Sequence, residues 1–201
     1  MIKRNLLVMG LAVLLSACGF QLRGTGTTEL AIKELDLSAR NAYGETVVMM
    51  RQVLQSSGVN VVAGAPYKLV FTDEQTTQRS LSYSGAGRTA ENELTTVLNY
   101  QIVGQNNLSL ISDRLQVQKV VMHDGSNITG SVQEEDEARK EIRRDLVQRM
   151  MLRLQQLTPA QLDQLQQTAD ARAKAEADAL EAAQKAEANT PRQSPLQVPA
   201  E

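Results

Sequence analysis

Few side chains in this sequence could do chemistry. The single histidine, His123, ends a predicted strand beside the Asp124-Gly125-Ser126-Asn127 turn. A general base needs a nucleophile and an orienting group within reach. None accompanies His123, which reads as a surface turn histidine. One histidine and one cysteine exclude a zinc site of the Cys/His type. Glu134, Glu135, Asp136 and Glu137 are consecutive, and consecutive helix positions point in different directions, so they cannot close on one ion. They read instead as acids at the positive end of a helix dipole. Gly85-Ala86-Gly87 has no following Lys-Ser/Thr and sits between strands, so it is a hairpin loop and not a phosphate loop. The sequence therefore shows no catalytic residue, metal ligand or cofactor site, and it is read as a non-enzyme. Two places could meet an anion. One is Arg88, at the Gly-rich tip. The other is the Arg139, Lys140, Arg143 and Arg144 cluster, for which a solvated helix face with Glu135–Arg139 and Asp136–Lys140 pairs is the plainer account.

The cysteine is placed differently. Lys3 and Arg4 precede an apolar run, Leu6 to Leu15, of the length of a signal-peptide core and too short to span a bilayer. Small residues then precede Cys18. Leu15-Ser16-Ala17-Cys18 resembles the lipobox of bacterial lipoproteins, which implies S-diacylglycerol on the thiol and an N-palmitoyl chain on the freed amine. One acyl chain holds a protein to a membrane only marginally; several anchor it stably. The other reading, a secreted protein with a stray cysteine, leaves unexplained why the chain's only cysteine stands at the cleavage point. Nothing after Leu15 is long and apolar enough to cross a membrane, so the lipid on Cys18 is the expected attachment. An acylated Cys18 leaves no thiol for a disulfide.

Cleavage before Cys18 leaves 184 residues (201 − 17), enough for one domain with a core and a tail. Removing Lys3 and Arg4 from 21 basic residues leaves 19 against 23 acidic, a charge of −4 with no general pull toward nucleic acid. Four Tyr, two Phe and no Trp require an aliphatic, methionine-containing core.

The elements follow from periodicity. Leu30 to Leu37 suggests a short strand and Asn41 to Gly44 a turn. Glu45 to Ser57 reads as a helix with Val47, Met50, Val53 and Leu54 on one face, closed by Gly58 as a left-handed cap. Val59 to Val62 allows a few residues of strand. In Tyr67 to Tyr83, Leu69 and Phe71 alternate with polar residues, and the far half is so polar that it should project beyond the core. Thr89 to Val103 and Leu108 to His123 each carry one apolar and one polar face, the pattern of an antiparallel sheet covered on one side. Val132 to Leu157 reads as the strongest helix, with Ser131 and Glu134 as a capping box and Ile142, Leu146, Met150, Leu154 and Leu157 as its buried stripe. Thr158-Pro159 ends it and starts another, rich in Ala and Gln, with little to bury and expected to fray. The expected organisation is a signal peptide over 1–17, a lipid-anchored linker over 18–29 and an α+β domain over 30–157. A helical tail over 158–188 and a disordered tail over 189–201 follow. The domain is read as β-α-β-β-β-α, two helices packed on one face of a small, mostly antiparallel sheet.

With these pieces assembled, the lipobox, the opening Cys18-Gly19-Phe20-Gln21-Leu22-Arg23-Gly24 and the element order resemble the LPS-assembly lipoprotein LptE family. The resemblance runs from Cys18 to about Leu157 and leaves the Ala-rich tail outside. It implies a non-enzymatic role: a plug in the lumen of the outer-membrane β-barrel LptD, in a one-to-one complex, assisting barrel assembly and lipopolysaccharide insertion. It implies outer-membrane localisation through Cys18, facing the periplasm within the barrel lumen, with no nucleic-acid partner. Gly19 after the cysteine fits outer-membrane sorting. Lipopolysaccharide contact through basic residues near the hairpin tips is also implied, which makes Arg88 the candidate; near Ser131, where a further basic residue is expected, this chain has none. Other readings are a pilotin or chaperone lipoprotein for another barrel or secretin, a periplasmic lipid carrier, and a cell-wall hydrolase.

Overall fold

The computed structural model describes residues 30–83, 89–123 and 127–189; Cys18 and Arg88 lie outside them. The elements run β1 (Glu34–Ala39), α1 (Glu45–Ser56), β2 (Asn60–Val61), β3 (Lys68–Tyr83), β4 (Thr89–Val103), β5 (Ser109–Met122), α2 (Ile128–Gln155) and α3 (Pro159–Asn189). The strands form one sheet in the order β2-β1-β3-β4-β5. β1 is parallel to β2 and β3, while β3, β4 and β5 are mutually antiparallel. This is the expected α+β architecture, with β2 as a short added strand.

The apolar faces read from sequence are the ones that close. Leu69 and Phe71 of β3, Leu94, Leu98, Tyr100 and Ile102 of β4, and Leu115, Val117 and Val121 of β5 are buried. They meet Val47, Met50 and Leu54 of α1 and Ile142, Leu146, Met150 and Leu154 of α2 in one cluster. Opposite them, β4 and β5 present Glu93, Thr95, Gln116 and Gln118, a face that no helix covers. Gly58 takes φ +80 and completes the helix end: its N–H donates to Gln55 O at 3.1 Å, and Val59 N–H to Leu54 O at 3.0 Å. That is the paired bonding of a Schellman cap, with Val59 and Leu54 both buried beside it.

Three boundaries differ from the sequence reading. β1 begins at Glu34, because Leu30 and Ile32 are spent on packing beside Leu54, Val59 and Leu154 before the chain pairs. α2 begins at Ile128, one turn earlier than the Ser131–Glu134 box placed it. Its cap is Asn127, whose side-chain oxygen accepts from Gly130 N–H at 3.0 Å. A Cβ on Gly130 would stand 2.5 Å from that Asn127 side chain, so glycine lets the cap close. Ser131 is buried inside the helix, Glu134 accepts from Met122 N–H at 3.3 Å, and the first turn carries no acid.

The third departure is α3. Leu162 is fully buried, and Gln166 accepts from Gln105 N–H at 2.9 Å while donating to Asp170 at 3.1 Å. Tyr67 Oη donates to Asp163 at 3.1 Å. The root of the Ala-rich helix is therefore docked on the domain, against the expectation of a helix with almost nothing to bury. Farther along it is exposed, Leu180 included. Thr158 and Gln161 cap it reciprocally: Thr158 N–H donates to Gln161 Oε1 at 3.0 Å and Gln161 N–H to Thr158 Oγ1 at 3.3 Å.

Candidate functional site

β1 pairs with β3 only as far as Ala39↔Phe71, yet β3 continues to Tyr83 alongside β4. Beyond Phe71, β3, β4 and β5 form a three-stranded arm. α2 lies over its β4 and β5 part, where Asn92, Leu94, Thr96 and Leu98 are buried. β3 is left bare, exposed from Glu74 through Leu81 on both faces. This is the projecting half that the polar sequence predicted.

Cross-strand polar pairs replace apolar burial along the β3 side of this arm. Thr76 and Thr96 share a hydrogen bond at 2.8 Å, Ser80 donates to Asn92 at 3.3 Å, and Ser82 donates to Glu91 at 3.0 Å. Arg79 pairs with Glu93 at 3.2 Å. At the root of the arm, Thr46 of α1 donates to Glu74 at 2.8 Å. Such pairs each contribute roughly 0.2–1 kcal/mol and mainly fix register.

Arg139, Lys140 and Arg143 of the basic cluster are held in ion pairs. Arg139 pairs with Glu135, as spacing predicted, but Lys140 pairs with Glu137 at 2.7 Å and not with Asp136. Arg143 reaches across to Glu45 of α1 at 2.6 Å. Lys119 of β5 pairs with Glu141 of α2. This hydrogen bond raises the Lys119 ammonium above its ordinary value and lowers the Glu141 carboxyl below its own. Tyr100 is raised, first by burial and then by the Asp113 carboxylate, with Arg153 acting in the opposite sense.

Open clefts lie beside the sheet. One of about 450 Å³ lies where β1 ends, between the start of α1, β3 and Arg143, and includes Thr46, Glu74 and Thr76. Another of about 350 Å³ runs between the start of β5 and α3. The apolar space among Leu30, Ile32, Leu35, Leu54, Val59 and Leu154 is too small for a water molecule. Among the described residues no group of three or more His, Cys, Asp or Glu could hold a metal ion.

Of the residues singled out by sequence, Cys18 and Arg88 lie outside the described residues, although Tyr83 and Thr89, which bracket the Arg88 loop, are paired. His123 is partly buried at the end of β5. Sequence reading missed which backbone groups the arm leaves open. The available signal was a long polar strand, Asp73 to Tyr83, containing neither Pro nor Lys, the usual guards of an edge.

Residues 32–154 match the family model for LptE, described as lipopolysaccharide-assembly. Curated relatives include the LPS-assembly lipoprotein LptE of Photorhabdus laumondii, 33% identical over 102 residues, and that of Pectobacterium atrosepticum, 34% identical over 103. Each match covers 48% of this chain and 56% or 55% of the relative, so the chain spans about half the length of these relatives. Among solved structures, rare lipoprotein B of Shewanella oneidensis aligns with a TM-score of 0.56 at 20% identity, over 60% of this chain and 92% of that one. A lipoprotein B of Nitrosomonas europaea aligns with a TM-score of 0.57 at 22% identity, over 69% and 89%. At such identities these two show a shared fold.

Proposed function

This chain belongs to the LptE lipopolysaccharide-assembly family, and from that premise we propose that it is a non-enzymatic outer-membrane lipoprotein. In this reading it is anchored through acylated Cys18 and linked by 18–29 to the domain over 30–157. It plugs an LptD-type β-barrel in a one-to-one complex, helps that barrel assemble, and assists lipopolysaccharide insertion, with Arg88 as a contact to the lipopolysaccharide.

One observation carries the reading: the sheet extends past its own core as an arm with a polar uncovered face and a β3 exposed on both faces. An exposed sheet face normally threatens association through apolar contact. Here it offers Gln75, Thr77, Thr95, Gln116 and Gln118, which suit the polar, hydrated interior of a large barrel. The test is recovery of the full-length, C-terminally tagged lipoprotein from detergent-solubilised outer membranes. A large β-barrel protein at one-to-one ratio, retained in high salt, is the expected result. Recovery without any barrel would overturn the plug reading; a secretin in its place would make the protein a pilotin.

A further inference from the structure

α3 leaves the domain across the base of the sheet. Its contacts follow one another along the helix. Asp163 meets Tyr67 ahead of β3, Gln166 meets Gln105 after β4, and Leu165, Ala169 and Ala173 stand beside Leu108 and Leu110 at the start of β5. Between the helix and β5 lies the open cleft of about 350 Å³, apolar at these last five residues and carrying Arg172 and Glu176 as its charges. Leu108, Leu110 and Leu165 are only half-buried, so each keeps part of its surface open there. Past Glu176 every residue of α3 is exposed, and the one large apolar side chain among them, Leu180, is 62% exposed. Helical spacing puts Leu180 on the same face as Ala173 and Glu176, in line with the cleft.

Residues 190–201, which follow α3, lie outside the described residues. Their sequence holds Pro191, Pro195 and Pro199, which favour the extended polyproline II form and reduce the entropy lost on docking. The apolar residues gather in the second half, at Pro195, Leu196, Val198 and Pro199, with Arg192 before them and Glu201 after. Suppose such a segment reverses over about three residues and returns along α3, rising about 3.1 Å per residue. Leu196 then stands about 12 Å back from Asn189, Val198 about 19 Å and Glu201 about 28 Å. On the helix, at about 1.5 Å per residue, Leu180 stands about 14 Å back, Glu176 about 20 Å and Arg172 about 26 Å. Leu196 meets Leu180, Val198 and Pro199 arrive at the cleft, and Glu201 comes beside Arg172. Arg172 has no ion pair among the described residues, so its charge is open to that acid.

We infer that residues 190–201 fold back along α3 and dock Val198 and Pro199 in the cleft between α3 and the start of β5. The inference goes beyond the barrel reading and does not depend on it. Tethering favours this occupant over a second copy of the chain. A segment joined to its site by a short turn meets it at an effective concentration of about a millimolar. A second copy packed along the free half of α3 would be held by one exposed leucine from each helix, far short of the area that a stable pair of proteins buries.

The test introduces cysteine pairs into the full-length lipoprotein and measures the disulfide formed under mild oxidation in detergent, by mass spectrometry of the linked peptides. Ala173→Cys with Val198→Cys places one thiol in the cleft and one on the docked segment. Ala171→Cys with Val198→Cys is the control, since position 171 is nearly as close along the helix but on its far side. The expected result is at least tenfold more intramolecular disulfide from position 173 than from position 171. Adding Leu180→Ser should lower the yield from position 173 severalfold. Equal yields from the two positions overturn the inference, because a free segment would sample both sides alike. A disulfide joining two copies overturns it as well, and so does a yield from position 173 that Leu180→Ser leaves unchanged.

Discussion

The same three strands pass through two unlike regions. At the base, β3, β4 and β5 contribute Leu69, Phe71, Tyr100, Ile102 and the half-buried Ile111 to a core closed by two helices. In the arm, β3 changes to Glu74, Thr76, Gln78 and Ser80, and the bulge between Phe71 and Asp73 marks the transition. The base is held by burial on all its strands, whereas in the arm only β4 and β5 are covered and β3 is held by its ladder and by side-chain pairs. Burial of a large aliphatic side chain stabilises by roughly 1.5–3 kcal/mol, several times a cross-strand polar pair. The difference separates tasks: the base holds the fold, and β3 of the arm is left polar and exposed.

The sharpest way to break this comparison is to truncate one side chain in each region. Leu69→Ala removes a fully buried side chain and should cost about 2–5 kcal/mol in urea unfolding. Thr77→Ala, on exposed β3, should change stability by no more than about 0.5 kcal/mol. Equal losses at the two sites would mean that the arm is part of the core after all.

A second prediction concerns the root of α3. A Cβ on Gly104 would stand 2.0 Å from Gln166 Oε1 and 2.9 Å from Leu110 Cδ1. Gly104→Ala should therefore displace Gln166 from Gln105 N–H and cost about 1–3 kcal/mol, as overpacking does. Hydrogen exchange should rise between Leu162 and Asp170 and stay unchanged in β4 near Leu94. Faster exchange in both places would show that α3 stabilises the sheet as far out as the arm.

The arm's own bonds can be weighed at Thr76. Thr76→Val leaves the buried Thr96 hydroxyl without its partner and should cost about 1 kcal/mol. Adding Thr96→Val should return much of that, because no hydroxyl is then stranded. A strictly additive double variant would mean that the pair does not hold the strands together.

What the sequence revealed follows the same division. The base was legible because alternation in β4 and β5 and helical spacing in α1 and α2 are signals of burial, and burial decides there. The element order and Gly58 as a left-handed cap were legible for the same local reasons. The start of α2 was misjudged because two caps compete within a few residues, and Asn127 with Gly130 bonds where Ser131 with Glu134 also matches the pattern. The docking of α3 was missed because one leucine, one glutamine and a glycine far away in sequence make it, and only tertiary contact joins Gly104 to Gln166. The open edge was missed because strand order decides which strand is an edge, and residue types only hint at it.

The smallest expected effect tests one of the contacts between the arm and α2, the Lys119–Glu141 pair. The Glu141 carboxyl is lowered below 4.5, chiefly by its hydrogen bond from Lys119, so its contribution is present above that value and lost as pH falls through the lower folded one. Lys119 is raised above 10.5, chiefly by the same bond, so its contribution is present below that value and lost as pH rises through the higher folded one. Between these limits the pair should stabilise by a constant, small amount, since both groups sit in solvent and salt screens them. Comparing urea midpoints of the native chain and Glu141→Gln from pH 3 to 9 should therefore give two curves that run parallel above about pH 5 and converge in acid. If they stay parallel down to pH 3, Glu141 acts through packing on β5 and its charge is not what holds α2 over the arm.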